Sequence, residues 1–294
     1  MKKQQVFEGV GTALVTPFRG GKPDLASLSA LIERQISGGA DALIVCATTG
    51  ENATLSDAEH RELISFCIKE SAGRLPVIAG TGSNDTAHAC EMSAYAAKEG
   101  ADAVLAVTPY YNKANQEGLY LSYKAIAEAA EIPVILYNVP SRTCVDIAPE
   151  TAARLSEIPN IAALKEASSD LTKAAETVRL CAGKLSLLCG SDDLFLPMLS
   201  LGAAGIISVS ANLFPRAVKE IYLSWVGGDT EKARRLFLKL QPLNCALFRE
   251  ISPSPVKYAL CRLGLCTDEV RLPLCHVTHE TEKIIDALLP EYTE

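Results

Sequence analysis

The tetrapeptide Gly39-Ala40-Asp41-Ala42 recurs as Gly100-Ala101-Asp102-Ala103, and each copy leads into an apolar run, Ala42–Cys46 and Ala103–Val107. In both copies the glycine follows a segment of helical periodicity and comes just before an uninterrupted apolar run. Glycine commonly ends a helix, and a short apolar run is typical of a buried strand. The repeat therefore marks the same helix-to-strand junction twice.

Apolar runs of this kind occur eight times and are separated by longer segments of helical period. They are near-continuous rather than alternating, which is typical of strands that are covered by helices or fill a barrel interior. The runs are Gly11–Val15, Ala42–Cys46, Pro76–Ala79, Ala103–Val107, Pro133–Tyr137, Ile161–Lys165, Leu185–Leu188 and Gly205–Val209. Eight β–α units favour an α/β fold of the (β/α)8 TIM-barrel type over an open doubly wound sheet.

The helical segments carry capping signals, since Ser56-Asp57-Ala58-Glu59 has the pattern of a capping box and Asp85 precedes another helix. The first four predicted helices are Asp24–Gly38, Ser56–Ala72, Thr86–Glu99 and Gln116–Ala130. After about residue 215 the strand pattern stops, and the remaining predicted helices are Pro215–Val226, Asp229–Arg249, Pro255–Leu263 and Thr278–Leu289. We therefore predict a catalytic barrel over residues 1–214 and a C-terminal helical extension packed on it over residues 215–294.

The composition excludes several classes of protein. The 294 residues are 48% apolar and 21% charged, and the net charge of −7 gives no basic surface for a nucleic acid. No apolar run is long enough for a membrane span, and the residues after Lys2-Lys3 do not resemble a secretory signal. The 10 cysteines form no C-x-x-C pair and the four histidines have no ligand spacing. We expect a cytoplasmic protein with reduced cysteines and no metal site.

Lys165 closes the sixth apolar run, and polar residues at the carboxyl ends of barrel strands face the active site. Burial disfavours the ammonium form of a lysine and lowers its pKa, which leaves a neutral amine able to attack a carbonyl carbon. A lysine in this place can equally serve in an ion pair with Glu166 or another carboxylate. The residues alone leave both roles open.

Three further segments lie at predicted strand ends. Tyr137, next to Lys165 in barrel order, can move protons during imine formation, or it is a core tyrosine with a satisfied hydroxyl. Arg142 suits bidentate capture of a carboxylate, or it is a solvated loop arginine. The segment Thr48-Thr49-Gly50-Glu51 can hold a small carboxylate or pass on a proton, and a plain turn explains it nearly as well. Nucleotide binding has no support, because the sequence has neither a Walker A loop nor G-x-G-x-x-G.

Together these segments resemble the dihydrodipicolinate synthase and N-acetylneuraminate lyase family of class I aldolases. The matching pieces cover essentially the whole chain, in order: Val15–Phe18, Thr48–Glu51, Ala79–Gly82, Thr108–Asn112, Gln116–Tyr120, Leu136–Thr143, Leu164–Ala167, Gly205–Asn212 and Pro255–Lys257. Thr108–Asn112 and Tyr137–Thr143 are most similar to the members that condense pyruvate with L-aspartate 4-semialdehyde in diaminopimelate and lysine biosynthesis.

The resemblance implies a Schiff-base carbon–carbon lyase or synthase, of hydro-lyase type, that needs no cofactor. Lys165 is expected to form the Schiff base with pyruvate, whose methyl group becomes the nucleophile toward the aldehyde. The implied proton relay comprises Tyr137, Thr48 and Tyr111, with Tyr111 lent by the neighbouring subunit. The assembly usual in the family is a homotetramer built as a dimer of dimers.

The resemblance also implies the substrate contacts. Thr49 is expected to hold the pyruvate carboxylate and Arg142 the carboxylate of the semialdehyde, while Gly190 and Ile207 line the pocket. One departure is Ala47, which stands where the family commonly has glycine. A single methyl group is tolerated there if the backbone does not need a positive φ.

A second departure concerns feedback inhibition by L-lysine at the dimer interface. The positions that match the effector site of lysine-sensitive members are Asn52, Ala53, Asp57, His60, Asn84, His88 and Tyr110. His60, Asn84 and Tyr110 keep the pattern, whereas His88 replaces a glutamate that pairs with the effector ammonium, and Asp57 replaces a histidine. Loss of the charge partner of a bound cation predicts weak or absent inhibition by L-lysine.

Three alternatives compete with this function. A sugar-acid aldolase or N-acetylneuraminate lyase would keep the Schiff base but take another aldehyde. Arg142 and the Tyr110-Tyr111 pair argue against it, because those members generally lack this arginine in this loop. A non-catalytic ligand sensor need not retain a nucleophile such as Lys165. A phosphate-binding barrel enzyme would use glycine-rich loops after the seventh and eighth strands, which this sequence lacks.

Overall fold

A computed structural model describes residues 5–292, and within this range eight parallel strands form one closed barrel. The strands, numbered β1 to β8 along the chain, are Gly9–Ala13, Ala42–Val45, Val77–Gly80, Ala103–Val107, Val134–Asn138, Ile161–Glu166, Ser186–Cys189 and Gly205–Ser208. Around the barrel the order follows the chain from β2 to β8, and β1 closes the ring between β8 and β2. The predicted (β/α)8 fold is confirmed.

Helices alternate with the strands and continue beyond the last strand. In the described range, α1 to α12 are Leu25–Ser37, Asp57–Ser71, Thr86–Glu99, Gln116–Ala130, Pro140–Thr143, Pro149–Leu155, Leu171–Cys181, Phe195–Ser200, Pro215–Val226, Thr230–Leu247, Ser254–Arg262 and His279–Leu288. Ser56 and Glu59 form the predicted capping box at the start of α2, and the Asp85 side chain caps α3. The four helices predicted after residue 215 are all present.

The strands are buried over nearly their whole length, as the continuous apolar runs predicted. All six residues of β6 and all five of β5 are buried, including the polar residues at their carboxyl ends. Successive side chains of a strand point to opposite faces, so that one set fills the barrel interior and the other packs against the helices. The last two residues of each strand therefore place one side chain inside the barrel and one outside.

The first strand is the one element whose bounds differ clearly from the prediction. It covers Gly9–Ala13, whereas the apolar run predicts Gly11–Val15. Beyond Ala13 the backbone N–H of Val15 donates to the side-chain oxygen of Asn212 at 3.1 Å rather than to a neighbouring strand. The Leu14 N–H still donates to the Ile44 carbonyl of β2 at 2.9 Å, so that the side chain of Asn212 replaces the neighbouring strand as partner from Val15 onward.

Packing divides the chain into two compact units. The central unit comprises residues 76–207 with the segment that precedes Gly9, and the terminal unit comprises the chain from Gly9 to Leu75 and from Ser208 onward. In the central unit β5 pairs with β6 so that Leu136 lies opposite Leu164. In the terminal unit β1 pairs with β2, and α9 packs on β1. Lys219 of α9 forms an ion pair at 2.5 Å with Asp41, the residue that precedes β2. The division into a barrel and an extension at residue 214 stays a prediction.

Among residues 5–292, no helix is both long and apolar enough to cross a membrane. The lysine pair Lys2-Lys3, on which the prediction about a secretory signal rests, lies outside the described residues, which begin at Gln5.

Candidate active site

Lys165 and Tyr137 face each other on neighbouring strands of the central unit. They are register partners at the ends of β6 and β5, and only 5% and 6% of their surfaces are exposed. The Lys165 Nζ lies 4.1 Å from the centroid of the Tyr137 ring. A primary amine and a phenol thus share one buried place, as their positions in the sequence predicted.

Lys165 does not form the ion pair that was its alternative role. Within the described part of the chain, its Nζ has no carboxylate partner. Glu166 points to the opposite face of β6, where its Oε2 lies 3.4 Å from the Nζ of Lys173. A buried lysine without a counter-charge is costly unless its reactivity is used.

Arg142 lies on α5, the single helical turn that follows Tyr137 by a few residues, and its side chain is exposed. Hydrogen bonds of Thr143 hold this turn in place. The Thr143 Oγ1 accepts a hydrogen bond from the Thr108 Oγ1 at 2.9 Å and donates one to the Val145 carbonyl at 3.0 Å. Both threonines are buried. The fold therefore presents a guanidinium on a fixed turn five residues after Tyr137.

Tyr111 is placed very differently from Tyr137. It lies beyond the end of β4 in a left-handed conformation, with φ of 71°, and 89% of its surface is exposed. A non-glycine residue with positive φ is uncommon, and an almost fully exposed tyrosine gains nothing from burial in its own subunit. The hydroxyl of Tyr111 is available to another molecule.

The two predicted pocket-lining residues of the central unit are at strand ends. A Cβ added at Gly190 would come within 2.7 Å of the Ala167 Cβ and 2.9 Å of the Glu166 carbonyl oxygen. Only glycine allows this close approach of the chain after β7 to the end of β6. Ile207 is 1% exposed within β8.

The Thr48-Thr49-Gly50-Glu51 segment belongs to the terminal unit and forms a tight turn after β2. The Thr16 Oγ1 donates to the Gly50 carbonyl at 2.8 Å, and Thr49 is buried. Left-handed backbone occurs at Cys46, with φ of 52°, and at Glu51, with φ of 55°, rather than at Ala47. The methyl group of Ala47 is therefore accommodated, as expected for a position without positive φ.

A buried network behind this turn was not predicted from the sequence. The Lys257 Nζ donates to the Glu51 Oε1 at 2.5 Å and to the Glu269 carbonyl at 2.7 Å, and the backbone N–H of Arg271 donates to the other Glu51 oxygen at 3.0 Å. The same ammonium lies 4.2 Å from the centroid of the Phe18 ring. Burial lowers the pKa of Lys257, and the charge of Glu51 opposes this change.

The Arg271 side chain extends the network to the start of α2. It donates to Glu59 at 2.5 Å and to the Thr54 carbonyl at 2.8 Å. Hydrogen bonds from Arg271 lower the pKa of Glu59 to about 2. In the sequence, Glu51 and Lys257 occur only as members of two segments that resemble the family, Thr48–Glu51 and Pro255–Lys257. This resemblance did not indicate that the two side chains contact each other.

The positions of the candidate effector site are distributed over both units. In the central unit, Asn112 joins the segments that carry Asn84 and Tyr110: its Nδ2 donates to the Asn84 carbonyl and its N–H to the Tyr110 carbonyl, both at 2.8 Å. His88 is half-buried on α3. In the terminal unit, the residues in question follow the Thr48–Glu51 turn: Asn52 and Ala53 in a 3₁₀ turn, and Asp57 and the buried His60 on α2.

The Lys165–Tyr137 pair of the central unit has the functional groups that an amine catalyst requires. A buried lysine beside a phenol can attack a carbonyl, lose water with the help of the phenol and hold the resulting imine as an electron sink. No group of three or more metal-ligating side chains occurs within residues 5–292.

Comparison with known proteins gives one consistent result. The model of the dihydrodipicolinate synthetase family matches residues 6–291. A 4-hydroxy-tetrahydrodipicolinate synthase from Geobacter metallireducens is 49% identical over 98% of this chain and 99% of its own length.

Two similar solved structures each have a TM-score of 0.95. One is a chloride-inhibited dihydrodipicolinate synthase from Acinetobacter baumannii complexed with pyruvate, 42% identical over 97% of this chain and 98% of its own. The other is a DHDPS from Cyanidioschyzon merolae with lysine bound, 39% identical over 98% of each chain.

Proposed function

The chain belongs to the dihydrodipicolinate synthetase family, and we propose that it is a 4-hydroxy-tetrahydrodipicolinate synthase. It condenses pyruvate with L-aspartate 4-semialdehyde in the route to diaminopimelate and lysine. The observation that carries the proposal is that Lys165 is buried against the ring of Tyr137 and has no carboxylate partner within the described part of the chain. This pair has the chemistry of a Schiff-base enzyme, and the relatives of the chain carry the name of this synthase.

In the proposed mechanism, the Lys165 amine attacks the keto carbon of pyruvate, and the carbinolamine loses water to give an imine. Tyr137 donates and accepts the protons of these steps. Loss of a proton from the pyruvate methyl group gives an enamine, which forms a carbon–carbon bond to the aldehyde carbon of the second substrate. The amino group of that substrate then attacks the imine carbon, closes the ring and releases the lysine.

Four further residues are proposed to bind the two substrates. Thr49 holds the pyruvate carboxylate, and Arg142 holds the carboxylate of the semialdehyde in a bidentate contact. Gly190 and Ile207 line the pocket.

The proposed relay continues from Tyr137 through Thr48 to Tyr111 of a second copy of the chain. The 89% exposure of Tyr111 supports this role, since a lent side chain must extend beyond its own subunit. The proposal therefore includes a homo-oligomer, a tetramer built as a dimer of dimers. A cytoplasmic location is also proposed, and it rests on the scattered cysteines of the sequence.

A direct assay tests the choice of aldehyde. We expect the protein to consume pyruvate only when L-aspartate 4-semialdehyde is present, and to release no pyruvate from N-acetylneuraminate. Pyruvate is measured by proton NMR over time. Turnover of N-acetylneuraminate or of a sugar-acid substrate, without turnover of the semialdehyde, would reassign the enzyme to another branch of the family.

We expect L-lysine to inhibit this reaction weakly or not at all, because His88 cannot offer the carboxylate that an effector ammonium requires. The variant His88→Glu should bind L-lysine at least about tenfold more tightly than the wild type, since a hydrogen bond to a charged group contributes about 1.5–3 kcal/mol. Initial rates at increasing L-lysine give both constants. A wild-type inhibition constant in the low-millimolar range or tighter contradicts the prediction.

A further inference from the structure

Two buried residues adjoin the catalytic pair but point away from it. Asn138 follows Tyr137 at the end of β5, and Glu166 follows Lys165 at the end of β6. Because side chains alternate along a strand, Asn138 and Glu166 lie on the face opposite to that of the amine and phenol. They are 0% and 4% exposed, so their polar groups must find partners inside the protein.

Glu166 is satisfied on three sides. Its carboxylate accepts hydrogen bonds from the Asn138 Nδ2 at 3.0 and 3.1 Å and from the backbone N–H of Ser168 at 2.7 Å. Its positive partner is Lys173 in the first turn of α7, whose Nζ lies 3.4 Å away and whose side chain is only 10% exposed. A buried carboxylate with one cationic partner depends strongly on that partner.

The same groups hold the chain that returns from Arg142. The Asn138 Nδ2 also donates to the Asp146 Oδ1 at 2.7 Å, and the Asn138 Oδ1 accepts the backbone N–H of Ile147 at 3.0 Å. Lys173 forms a second ion pair with Asp146. The segment after the Arg142 turn is thereby attached to the strand ends that carry Tyr137 and Lys165.

We propose that Asn138, Asp146, Glu166 and Lys173 form a positioning cluster that fixes the Arg142 turn relative to Lys165 for capture of the second substrate. This inference rests on the proposed function. None of the four residues touches substrate; the cluster acts through Arg142. The backbone ladder of β5 and β6 holds Lys165 without the cluster. The turn and the segment that returns from it are held by the cluster, by the Thr143 contacts and by Gln116, whose Nε2 donates to the Asp146 carbonyl at 2.8 Å and whose Oε1 accepts from the Ala148 N–H at 3.0 Å.

The variant Lys173→Met tests the cluster. It removes the cation shared by Glu166 and Asp146 while keeping the length of the side chain. We expect the KM for L-aspartate 4-semialdehyde to rise about 10- to 100-fold, since misplacement by about 1 Å can cost a factor of 10². The KM for pyruvate should change less than about twofold, and the borohydride-trapped pyruvyl adduct should form as in the wild type. Asp146→Asn, which leaves β6 untouched, should show the same split.

Amide hydrogen exchange provides a readout that does not depend on turnover. In Lys173→Met, exchange should accelerate over residues 140–147 and stay unchanged over residues 161–165. The matched control is Lys184→Met, which breaks the exposed ion pair of Lys184 with Glu157 in the same unit and should change neither exchange nor KM. The proposal is overturned if amide exchange over residues 140–147 is unchanged in Lys173→Met, or if the KM values for pyruvate and for the semialdehyde rise equally. Absence of wild-type turnover with the semialdehyde instead overturns the proposed function.

Discussion

Replacement of Lys165 by methionine should abolish turnover while leaving the fold at least as stable as the wild type. We expect kcat/KM to fall by at least about 10⁴-fold, because removal of a covalent nucleophile takes away the whole reaction path. Methionine keeps the volume of the site but cannot form an imine. The check is pyruvate consumption in the presence of L-aspartate 4-semialdehyde, with the exposed Lys124 changed to alanine as the surface-lysine control.

The stability half of this prediction follows from the surroundings of Lys165. The side chain is buried, and its amine has the Tyr137 ring at 4.1 Å but no carboxylate partner in the described chain. Burial of an unpaired polar group costs free energy, which a methionine would not incur. The unfolding midpoint in urea, at one fixed protein concentration, should therefore be equal to or higher than that of the wild type.

Trapping identifies the nucleophile independently of turnover. The wild-type protein incubated with pyruvate and reduced with borohydride should gain one pyruvyl adduct on the peptide that contains Lys165, as read by mass spectrometry. Lys165→Met should gain none. An adduct on another lysine, or a variant that retains turnover, would show that the site must be sought elsewhere.

The opposition of Lys165 and Tyr137 could be predicted from the sequence for a simple reason. In a barrel whose strands follow chain order, the ends of the fifth and sixth apolar runs are neighbours, and the period of two sets which side chains face inward. This prediction needed only the residue at which each apolar run ends and the order of the runs along the chain. Both are properties of short stretches of sequence.

The partners of Glu51 and Glu166 could not be predicted in this way. Lys257 lies 206 residues from Glu51 and occupies α11, where a lysine of an amphipathic helix is equally compatible with the solvent face. Lys173 lies in the first turn of α7 beside an N-cap aspartate, a place that is ordinarily exposed. Which charged residue of a helix is buried depends on the packing of that helix, and the helical period alone does not determine it.

The second large effect is expected at Lys257, the other deeply buried lysine that the structure singles out. Replacement of Lys257 by methionine should lower the free energy of unfolding by about 3–5 kcal/mol, the usual cost of removing one partner of a buried ion pair. The side chains of Lys257 and Glu51 are 0% and 1% exposed. Without the ammonium, the Glu51 carboxylate keeps the backbone N–H of Arg271, at 3.0 Å, as its remaining hydrogen-bond donor among residues 5–292.

Urea unfolding at fixed protein concentration measures the effect of Lys257→Met, and two further variants isolate its cause. Arg234→Met breaks the exposed pair of Arg234 with Glu231 and should cost no more than about 1 kcal/mol. The double variant Glu51→Gln with Lys257→Met removes the stranded charge and should recover a large part of the loss. Because Glu51 lies two residues after Thr49, the proposed contact of the pyruvate carboxylate, the KM for pyruvate of folded Lys257→Met should also rise. Wild-type stability in Lys257→Met would mean that the ion pair of Lys257 with Glu51 contributes nothing to the free energy of unfolding. A loss of stability in Lys257→Met but not in Lys165→Met would show that the first buried lysine stabilises the fold through its ion pair, whereas the second is needed for the reaction.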